Sequence, residues 1–347
     1  MPANSMDTFF ACILIIIVVV MSMVATTMIV MPYLSDLQDL NEEEYLRKIV
    51  EYTLVSSGSP VGWAQNQSVT PETFGLAKYR SFSYELDLDK VSRLNRQNLY
   101  ALSYLELFKS LNLENVALCY SFSQIMDINI ILDSNITVGD LTTYSFNISV
   151  SRNQAPVATT LQCYIVANNF LNHTYSNTSS NGQGVVEMET PNSSNGTVLL
   201  VVFARSPYDS RVTAQGVYTF DHLSSEPSLN STFLNLTPNN STLYVDPDVS
   251  DVSIETAYAF SYGYESSLTS TSNETYTIPD FLDSSPQVLV VTGWKGSDFL
   301  IEWTAYPQVP LEMGANFEDA ECFSFNYLVT IDAVLYRLNV QCGGPSL

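Results

Sequence analysis

The sequence predicts an α+β fold that is mostly β: a long N-terminal transmembrane and stalk helix, a small helical subdomain, and one or two immunoglobulin-like β-sandwich sections. Residues 9–31 form an apolar run, and no charge occurs between Asp7 and Asp36. Apolar residues then recur at helical spacing over 37–54. Beyond residue 115 the apolar period shortens to alternation, broken by Gly, Asn, Ser and Pro clusters, which is typical of strands.

The apolar run at 9–31 predicts a membrane anchor. A helix of this length, at about 1.5 Å per residue, crosses a hydrocarbon core of roughly 30 Å. A removable secretory signal is the competing interpretation, but such signals begin with basic residues and have a shorter apolar stretch. The first seven residues contain no Lys or Arg. We therefore predict a single-pass cell-membrane protein, in contact with membrane lipid, with an extracellular ectodomain.

The change of pattern along the chain predicts five segments. Residues 1–56 are the anchor and stalk helix, 57–130 a small α/β section, 131–222 an immunoglobulin-like sandwich, 223–242 a glycosylated linker and 243–347 a C-terminal β section. The last section either forms a second sandwich or completes the first.

Local signals mark the ends of the predicted helices. Gly58 suits a left-handed cap at the end of the stalk, and Pro60 cannot continue it. Asp87 is placed as a helix N-cap. Ser103, with Glu106 three residues later, makes a capping box.

The charge of the chain excludes one class of partner. Charged residues make up 14% of the chain, and the formal net charge is −23. Residues 110–347 carry most of this charge, with 24 acidic residues against 5 basic ones. Nucleic acid is bound through basic phosphate contacts, so we predict that it is not a partner.

Twelve asparagines occupy N-x-S/T acceptor positions, which predicts N-linked glycans outside the cytosol. Eleven of the 15 asparagines between residues 130 and 275 qualify, which is more than this composition gives by chance. The acceptors are Asn66, Asn135, Asn147, Asn172, Asn177, Asn192, Asn195, Asn230, Asn235, Asn239, Asn240 and Asn273.

Four of the five cysteines, Cys119, Cys163, Cys322 and Cys342, follow the apolar run. An even number in a presumed ectodomain predicts disulfides, and four cysteines allow three pairings. Sequence separation favours Cys119 with Cys163 and Cys322 with Cys342. No C-x-x-C pair is present, so a zinc site is not predicted.

The sequence contains no catalytic signature, and we predict that the protein is not an enzyme. Its two histidines, His173 and His222, lie near no nucleophile motif. Asp246, Asp248 and Asp251 form the best carboxylate cluster, which is either a structural Ca²⁺ site or a solvated turn. No other cofactor is predicted. The aromatic segment at 257–266 is either strand core or a binding surface.

The segments LVSSGSPVGWAQ, FGLA, LDLDKVSRL and LSYLELFKSLNLENVALCYSFS, in this order, resemble archaeal type IV pilin-like surface proteins. The resemblance covers about residues 1–130. It implies a pilin-like subunit or accessory that assembles through its N-terminal helix with copies of itself or other pilin-like subunits, as an extracellular filament. It also implies that Asp7 pairs with a neighbouring subunit's amino terminus, although Asp7 also fits a plain cap of the anchor. The chain departs from the family in having no basic residue before the apolar run.

Small residues on the N-terminal helix give the assembly hypothesis its candidate positions. Ser22, Ala25 and Thr26 permit close helix–helix approach, and Pro32 is expected to kink the helix. We therefore predict a structural cell-surface protein, anchored by an N-terminal helix, with a glycosylated β ectodomain. The alternative is a monomeric membrane-tethered adhesin or ligand-binding module.

Overall fold

The computed structural model describes residues 3–113, 116–223, 233–247, 251–272, 274–281, 286–317 and 322–343, with the side chains of 3–8, 11–12 and 29–41 outside the description. The chain divides into two compact units, residues 1–51 and residues 52–347. Three helices are described: α1 (Ala3–Val55), α2 (Leu88–Ser92) and α3 (Tyr104–Leu111).

Twenty-one strands are described, and they make up most of the described part of the second unit. The first ten are β1 (Glu85–Leu86), β2 (Ala117–Gln124), β3 (Asp127–Val138), β4 (Leu141–Arg152), β5 (Ala155–Pro156), β6 (Thr160–Ala167), β7 (Phe170–Asn177), β8 (Gln183–Pro191), β9 (Gly196–Arg205) and β10 (Thr213–His222). The others are β11 (Leu234–Asn239), β12 (Thr242–Pro247), β13 (Val252–Ser261), β14 (Tyr264–Ser267), β15 (Thr269–Ser272), β16 (Thr275–Thr277), β17 (Gln287–Lys295), β18 (Asp298–Tyr306), β19 (Leu311–Gly314), β20 (Phe323–Ile331) and β21 (Val334–Gly343).

The predicted membrane anchor requires correction. Within the described part of the chain, no helix has both the length and the apolar character needed to cross a membrane. The predicted transmembrane anchor, the single-pass membrane localisation and the description as a membrane-anchored pilin-like protein are therefore wrong.

The fold class is corrected accordingly, to a mostly β chain with several sheets. We number the described sheets 1 to 5. Sheet 1 has the order β1-β20-β21-β2-β19, sheet 2 has β3-β4-β5 with β8 also paired to β4, and sheet 3 has β10-β9-β6-β7. Sheet 4 has the order β14-β13-β17-β18, and sheet 5 has β11-β12-β16-β15.

Sheets 2 to 5 form a stack of four layers. One apolar cluster lies between sheets 2 and 3, with Phe146 of β4 and Leu200 of β9 among its members. A second cluster joins sheets 3 and 4 and includes Phe203 and Phe260. A third, which includes Leu243 of β12, lies between sheets 4 and 5. The central strands β9 and β17 of sheets 3 and 4 are consequently buried on both faces.

This stacking explains the unbroken apolar runs in the sequence. Along β9, Leu200 and Val202 face the cluster shared with sheet 2, while Leu199 and Val201 face the cluster shared with sheet 4. Neighbouring side chains of a strand point to opposite faces, so a strand buried on both faces has no polar positions. Strand β17 repeats this pattern over 288–291.

Sheet 1 is built from strands that are distant in the sequence. Strand β21 pairs antiparallel with both β2 and β20, and β19 pairs with the other edge of β2. Its inner side carries Tyr120, whose ring lies 5.7 Å from Phe74, which in turn lies 6.1 Å from Trp63. The Tyr120 hydroxyl donates a 3.0 Å hydrogen bond to Thr53 Oγ1 near the end of α1. The second unit therefore includes the last turn of this helix.

Candidate functional site

Helix α1 carries the predicted assembly positions. Ser22, Ala25 and Thr26 are all exposed. The Thr26 hydroxyl donates a 2.8 Å hydrogen bond to the carbonyl of Ser22, one turn earlier in the helix. This hydroxyl is thus satisfied within its own helix, and the three positions offer small size rather than free polar groups. The side chains of Asp7 and Pro32 lie outside the described ones, so their roles stay predictions.

The same part of α1 exposes large apolar side chains on every side. Leu14 is 64% exposed and Met28 is 73% exposed. The apolar residues between them are also exposed and include Ile15, Ile16, Ile17, Val18, Val19, Val20, Met21, Met23 and Val24. An ordinary surface helix has one apolar stripe and a polar opposite face. A helix that is apolar all round is characteristically covered by other molecules or other parts of a structure.

The glycan acceptors differ in how accessible their amides are. Asn66, Asn135, Asn147, Asn172, Asn177, Asn195 and Asn240 are exposed, whereas Asn192 and Asn235 are half-buried. Asn230 and Asn273 lie outside the described residues. Asn239 is only 1% exposed, and neither its Nδ2 nor its Oδ1 has a partner among the described residues. A glycan on Asn239 has no room in this fold.

The cysteines are free thiols in the structure, so neither favoured disulfide is present in it and the pairing stays a prediction. Cys119 and Cys342 lie in sheet 1, and Cys163 lies in β6 of sheet 3. Burial raises the pKa of Cys119 to about 11, and that of Cys163 and Cys342 to about 12. The thiolate is the reactive form, so these three thiols are unreactive near pH 7.

The predicted calcium cluster is only partly described. Asp246 is the penultimate residue of β12 and is exposed, Asp251 is exposed with φ +75°, and Asp248 lies outside the description. Among the described residues no group of three or more His, Cys, Asp or Glu side chains is placed to hold a metal ion. The Ca²⁺ site stays a prediction.

The two histidines occupy separate places. His173 lies on β7 at the surface, with Nδ1 3.4 Å from Glu265 Oε2. His222 is fully buried at the end of β10. Its Nε2 lies 3.0 Å from the Pro191 carbonyl, which can only accept, so this nitrogen carries the proton. Nδ1 then accepts the 2.6 Å hydrogen bond from the Tyr144 hydroxyl.

The aromatic segment 257–266 packs inside the body. Phe260 lies in the cluster between sheets 3 and 4, with its ring 4.9 Å from that of Tyr164. The Tyr262 hydroxyl donates a 2.6 Å hydrogen bond to Thr160, and the Arg205 guanidinium lies 3.9 Å above its ring. Tyr264 stacks on Phe281 at 5.4 Å. These contacts favour the core interpretation over a binding surface.

Sequence reasoning missed a set of three buried charged residues. Helix α2 and the residue after it carry Asp89, Lys90 and Arg93, each 9% exposed or less. Lys90 Nζ donates to the carbonyls of Ser57 at 2.8 Å and Ala77 at 2.9 Å. Burial lowers the pKa of Lys90, because the charged ammonium is removed from water.

Arg93 is held in the same way. Its NH1 donates to the Trp63 carbonyl at 2.8 Å and the Val69 carbonyl at 2.9 Å, and its Nε donates to the Tyr100 carbonyl at 2.8 Å. The guanidinium also lies 5.4 Å from the centre of the Trp63 ring. Because Lys90 and Arg93 both donate to backbone carbonyls of other segments, we interpret them as structural ties between those segments.

Asp89 ties the helical section to the C-terminal β section. Its Oδ1 accepts hydrogen bonds from the Tyr306 hydroxyl at 2.6 Å and the Asn240 backbone N–H at 2.9 Å. Nearby, Gln308 accepts from Asn95 through its carbonyl at 2.8 Å and from Asn98 through its side chain at 2.7 Å. We call this group the α2 joint: Asp89, Lys90, Arg93, Asn95, Asn98, Tyr306 and Gln308.

Comparisons with known proteins give little to set beside this geometry. No protein-family model matches the chain, and no curated protein matches it. A solved structure, HBP35 of Porphyromonas gingivalis, is similar at 12% identity over 52% of this chain and 63% of that chain, with a TM-score of 0.20. A TM-score this low carries no argument about fold or function.

Proposed function

We propose that the protein is a non-catalytic structural subunit that assembles with copies of itself through helix α1, while residues 52–347 form a glycan-bearing β body. The observation that supports this most is the all-round exposure of apolar side chains over 13–28. Leaving such a surface in water is unfavourable by roughly 25 cal/mol per Å². Packing against the same helix of other copies of the chain would remove these apolar side chains from water.

The small residues of α1 indicate which face of the helix would contact the neighbouring copy. Ser22, Ala25 and Thr26 fall within about 100° of one another around a helix that turns about 100° per residue. Small side chains on one stripe let two helix backbones approach closely, which increases dispersion contacts along the interface. The three residues would therefore face the neighbouring copy.

The non-catalytic part of the proposal has its own support. Lys90 and Arg93 of the α2 joint bond to backbone carbonyls, and Asp89 bonds to the Tyr306 hydroxyl, as structural groups do. His222 is buried, and both of its ring nitrogens are engaged in hydrogen bonds, one with the Tyr144 hydroxyl and one with the Pro191 carbonyl. Neither arrangement leaves a reactive atom facing a substrate.

Sedimentation velocity of the full chain, over a concentration series, tests the assembly. Ala25→Phe places a bulky ring in the small stripe and should weaken self-association by about ten-fold or more, equivalent to about 1.4 kcal/mol. Val20→Phe is the matched control, because it adds the same ring about 140° away from Ala25 around the helix. A chain that stays monomeric, or equal effects of both variants, would contradict the proposal.

A further inference from the structure

On the solvent-facing side of sheet 2, two exposed aliphatic side chains flank one glycan acceptor. Asn147 lies on the central strand β4, and the register places Ile131 of β3 and Val185 of β8 directly opposite it on its two sides. Ile131 is 55% exposed and Val185 is 57% exposed. Directly opposite residues have Cβ atoms about 4.5–5.5 Å apart, so the three side chains form one continuous row.

The other face of β4 already forms the core, so this row has no partner within its own sandwich. Phe146 and Ile148, which flank Asn147 in sequence, are buried between sheets 2 and 3. The outer face of an antiparallel sheet is normally polar. On the same face, beyond the polar pair Ser145 and Glu187, Ile136, Val138 and Leu141 are also exposed near the end of the β3–β4 hairpin.

Asn147 is better placed for modification than several other acceptors. Its side chain is exposed and forms no hydrogen bond with the described residues. By contrast, Asn192 donates to the Gly139 carbonyl at 3.0 Å and accepts from Thr142 at 2.8 Å. Asn239 is buried. Asn147 thus combines a free amide with apolar neighbours on both sides.

We propose that Asn147 carries an N-linked glycan whose first sugars lie over Ile131 and Val185 and cover this apolar row. The inference rests on the proposed function only in requiring a glycan-bearing body. The ring carbons and hydrogens of a pyranose form an apolar face, which is the chemistry that aliphatic side chains accept in place of water. The glycan that covers Ile131 and Val185 is therefore attached to Asn147, which lies between them.

The modification is a group transfer without oxidation or reduction. Asn147 Nδ2 forms a bond to the anomeric carbon of a sugar carried by a phosphate-linked lipid donor. The bond from that carbon to the donor's phosphate oxygen breaks, and the phosphate leaves with the electron pair. The amide gives up one proton to the transferase, and Asn147 keeps its second N–H.

The test uses the full chain purified from a glycosylating host. Peptide mass spectrometry should find Asn147 modified. Enzymatic removal of the glycans from the folded protein should then raise the fluorescence of the hydrophobic dye ANS, by roughly two-fold, as the row becomes exposed. The Asn66→Gln variant should show the same rise, because Asn66 lies outside sheet 2.

Two variants separate this explanation from others. Asn147→Gln should show the raised dye signal before any treatment and no further rise after it. Ile131→Thr with Val185→Thr keeps β-branched side chains and the acceptor, so Asn147 stays modified while the rise on glycan removal disappears. An unmodified Asn147, or a rise that persists in the double variant, would overturn the proposal.

A second copy of the chain on this face would also overturn it. That outcome would appear as dimerisation that the Ile131→Thr, Val185→Thr variant abolishes, with Asn147 unmodified. Failure of the α1 assembly is distinguishable, because Ala25→Phe alters sedimentation and leaves the glycan-dependent rise in dye fluorescence unchanged.

Discussion

The hydroxyl of Tyr306 donates a 2.6 Å hydrogen bond to Oδ1 of Asp89, across 217 positions of sequence. Burial raises the pKa of both groups, and the nearby carboxyl of Asp89 raises that of Tyr306 further. Both are therefore biased toward their protonated forms by loss of water. The bond joins α2 to the end of β18, so it fixes the helical section against sheet 4.

Removing the Tyr306 hydroxyl should destabilise the β body. Tyr306→Phe keeps the buried ring but leaves Asp89 with the Asn240 N–H as its remaining described donor. Loss of one partner of a buried hydrogen bond costs about 1–3 kcal/mol of unfolding free energy. Urea denaturation followed by circular dichroism measures this. Tyr208→Phe, at a side chain 95% exposed, is the control and should change little.

Replacing Asp89 should change how stability depends on pH. Burial raises the folded-state pKa of Asp89, with the Tyr306 hydrogen bond opposing the shift. The folded state therefore binds the proton more tightly, so this contribution is full below the unfolded pKa of about 3.9 and is lost as pH rises through the folded pKa. Asp89→Asn does not titrate and still accepts from Tyr306.

We therefore expect the stability of Asp89→Asn, relative to the wild type, to increase as pH rises from about 3.5 to about 7. Urea midpoints at several pH values in this window measure the difference. A difference that is constant with pH would show that the carboxyl titrates alike in the folded and unfolded chains.

For His222 we expect stability to depend on pH in the opposite direction from Asp89. Burial lowers its folded-state pKa, although the bond to the Pro191 carbonyl works against this. The unfolded chain then binds the proton more tightly, so the contribution is full above the unfolded pKa of about 6.5 and is lost as pH falls through the folded pKa.

Thermal melting between about pH 8 and pH 5 tests this expectation for His222. The wild type should lose stability toward pH 5 more steeply than His222→Phe, which has no proton to bind. Tyr208→Phe, at a side chain that is 95% exposed, is the control and should keep the wild-type slope. Equal slopes for the wild type and His222→Phe would refute the assignment.

Local signals in the sequence predicted local structure well. Asp87 caps α2 by accepting from the backbone N–H groups of Asp89 and Lys90, as predicted. Ser103 and Glu106 form the predicted capping box at α3. These devices involve residues two or three positions apart, so the chain's covalent geometry brings them together and the pattern is enough.

The tertiary partners could not be predicted in this way. Nothing in the sequence distinguished Lys90 from any other lysine in a helix. Its partners are the backbone carbonyls of Ser57 and Ala77, and every residue has such a carbonyl whatever its side chain. The pairing of β21 with β2 joins opposite ends of the β body, and alternation alone does not give a strand its neighbour. The prediction of a membrane anchor was wrong for a related reason, because an apolar run does not show whether lipid or protein covers its side chains.

Gly58 provides the last prediction, at the turn where α1 gives way to the β body. It has φ +70°, in the left-handed region that the sequence signal predicted, and a Cβ at this position would lie 2.5 Å from the Thr73 carbonyl oxygen. Gly296 has a similar φ of +63°, but an added Cβ there meets nothing within 4 Å. Comparing alanine substitutions at Gly58 and Gly296 therefore distinguishes the cost of a left-handed backbone from the cost of a steric clash.

Gly296→Ala should therefore cost only the left-handed strain, about 1–2 kcal/mol of unfolding free energy. Gly58→Ala should cost more, because the Thr73 carbonyl must also move and it accepts a 3.0 Å hydrogen bond from the Ser59 N–H. Urea denaturation of the two variants gives the comparison. If the two alanines cost the same, the close approach between Gly58 and Thr73 would not be present in the folded protein.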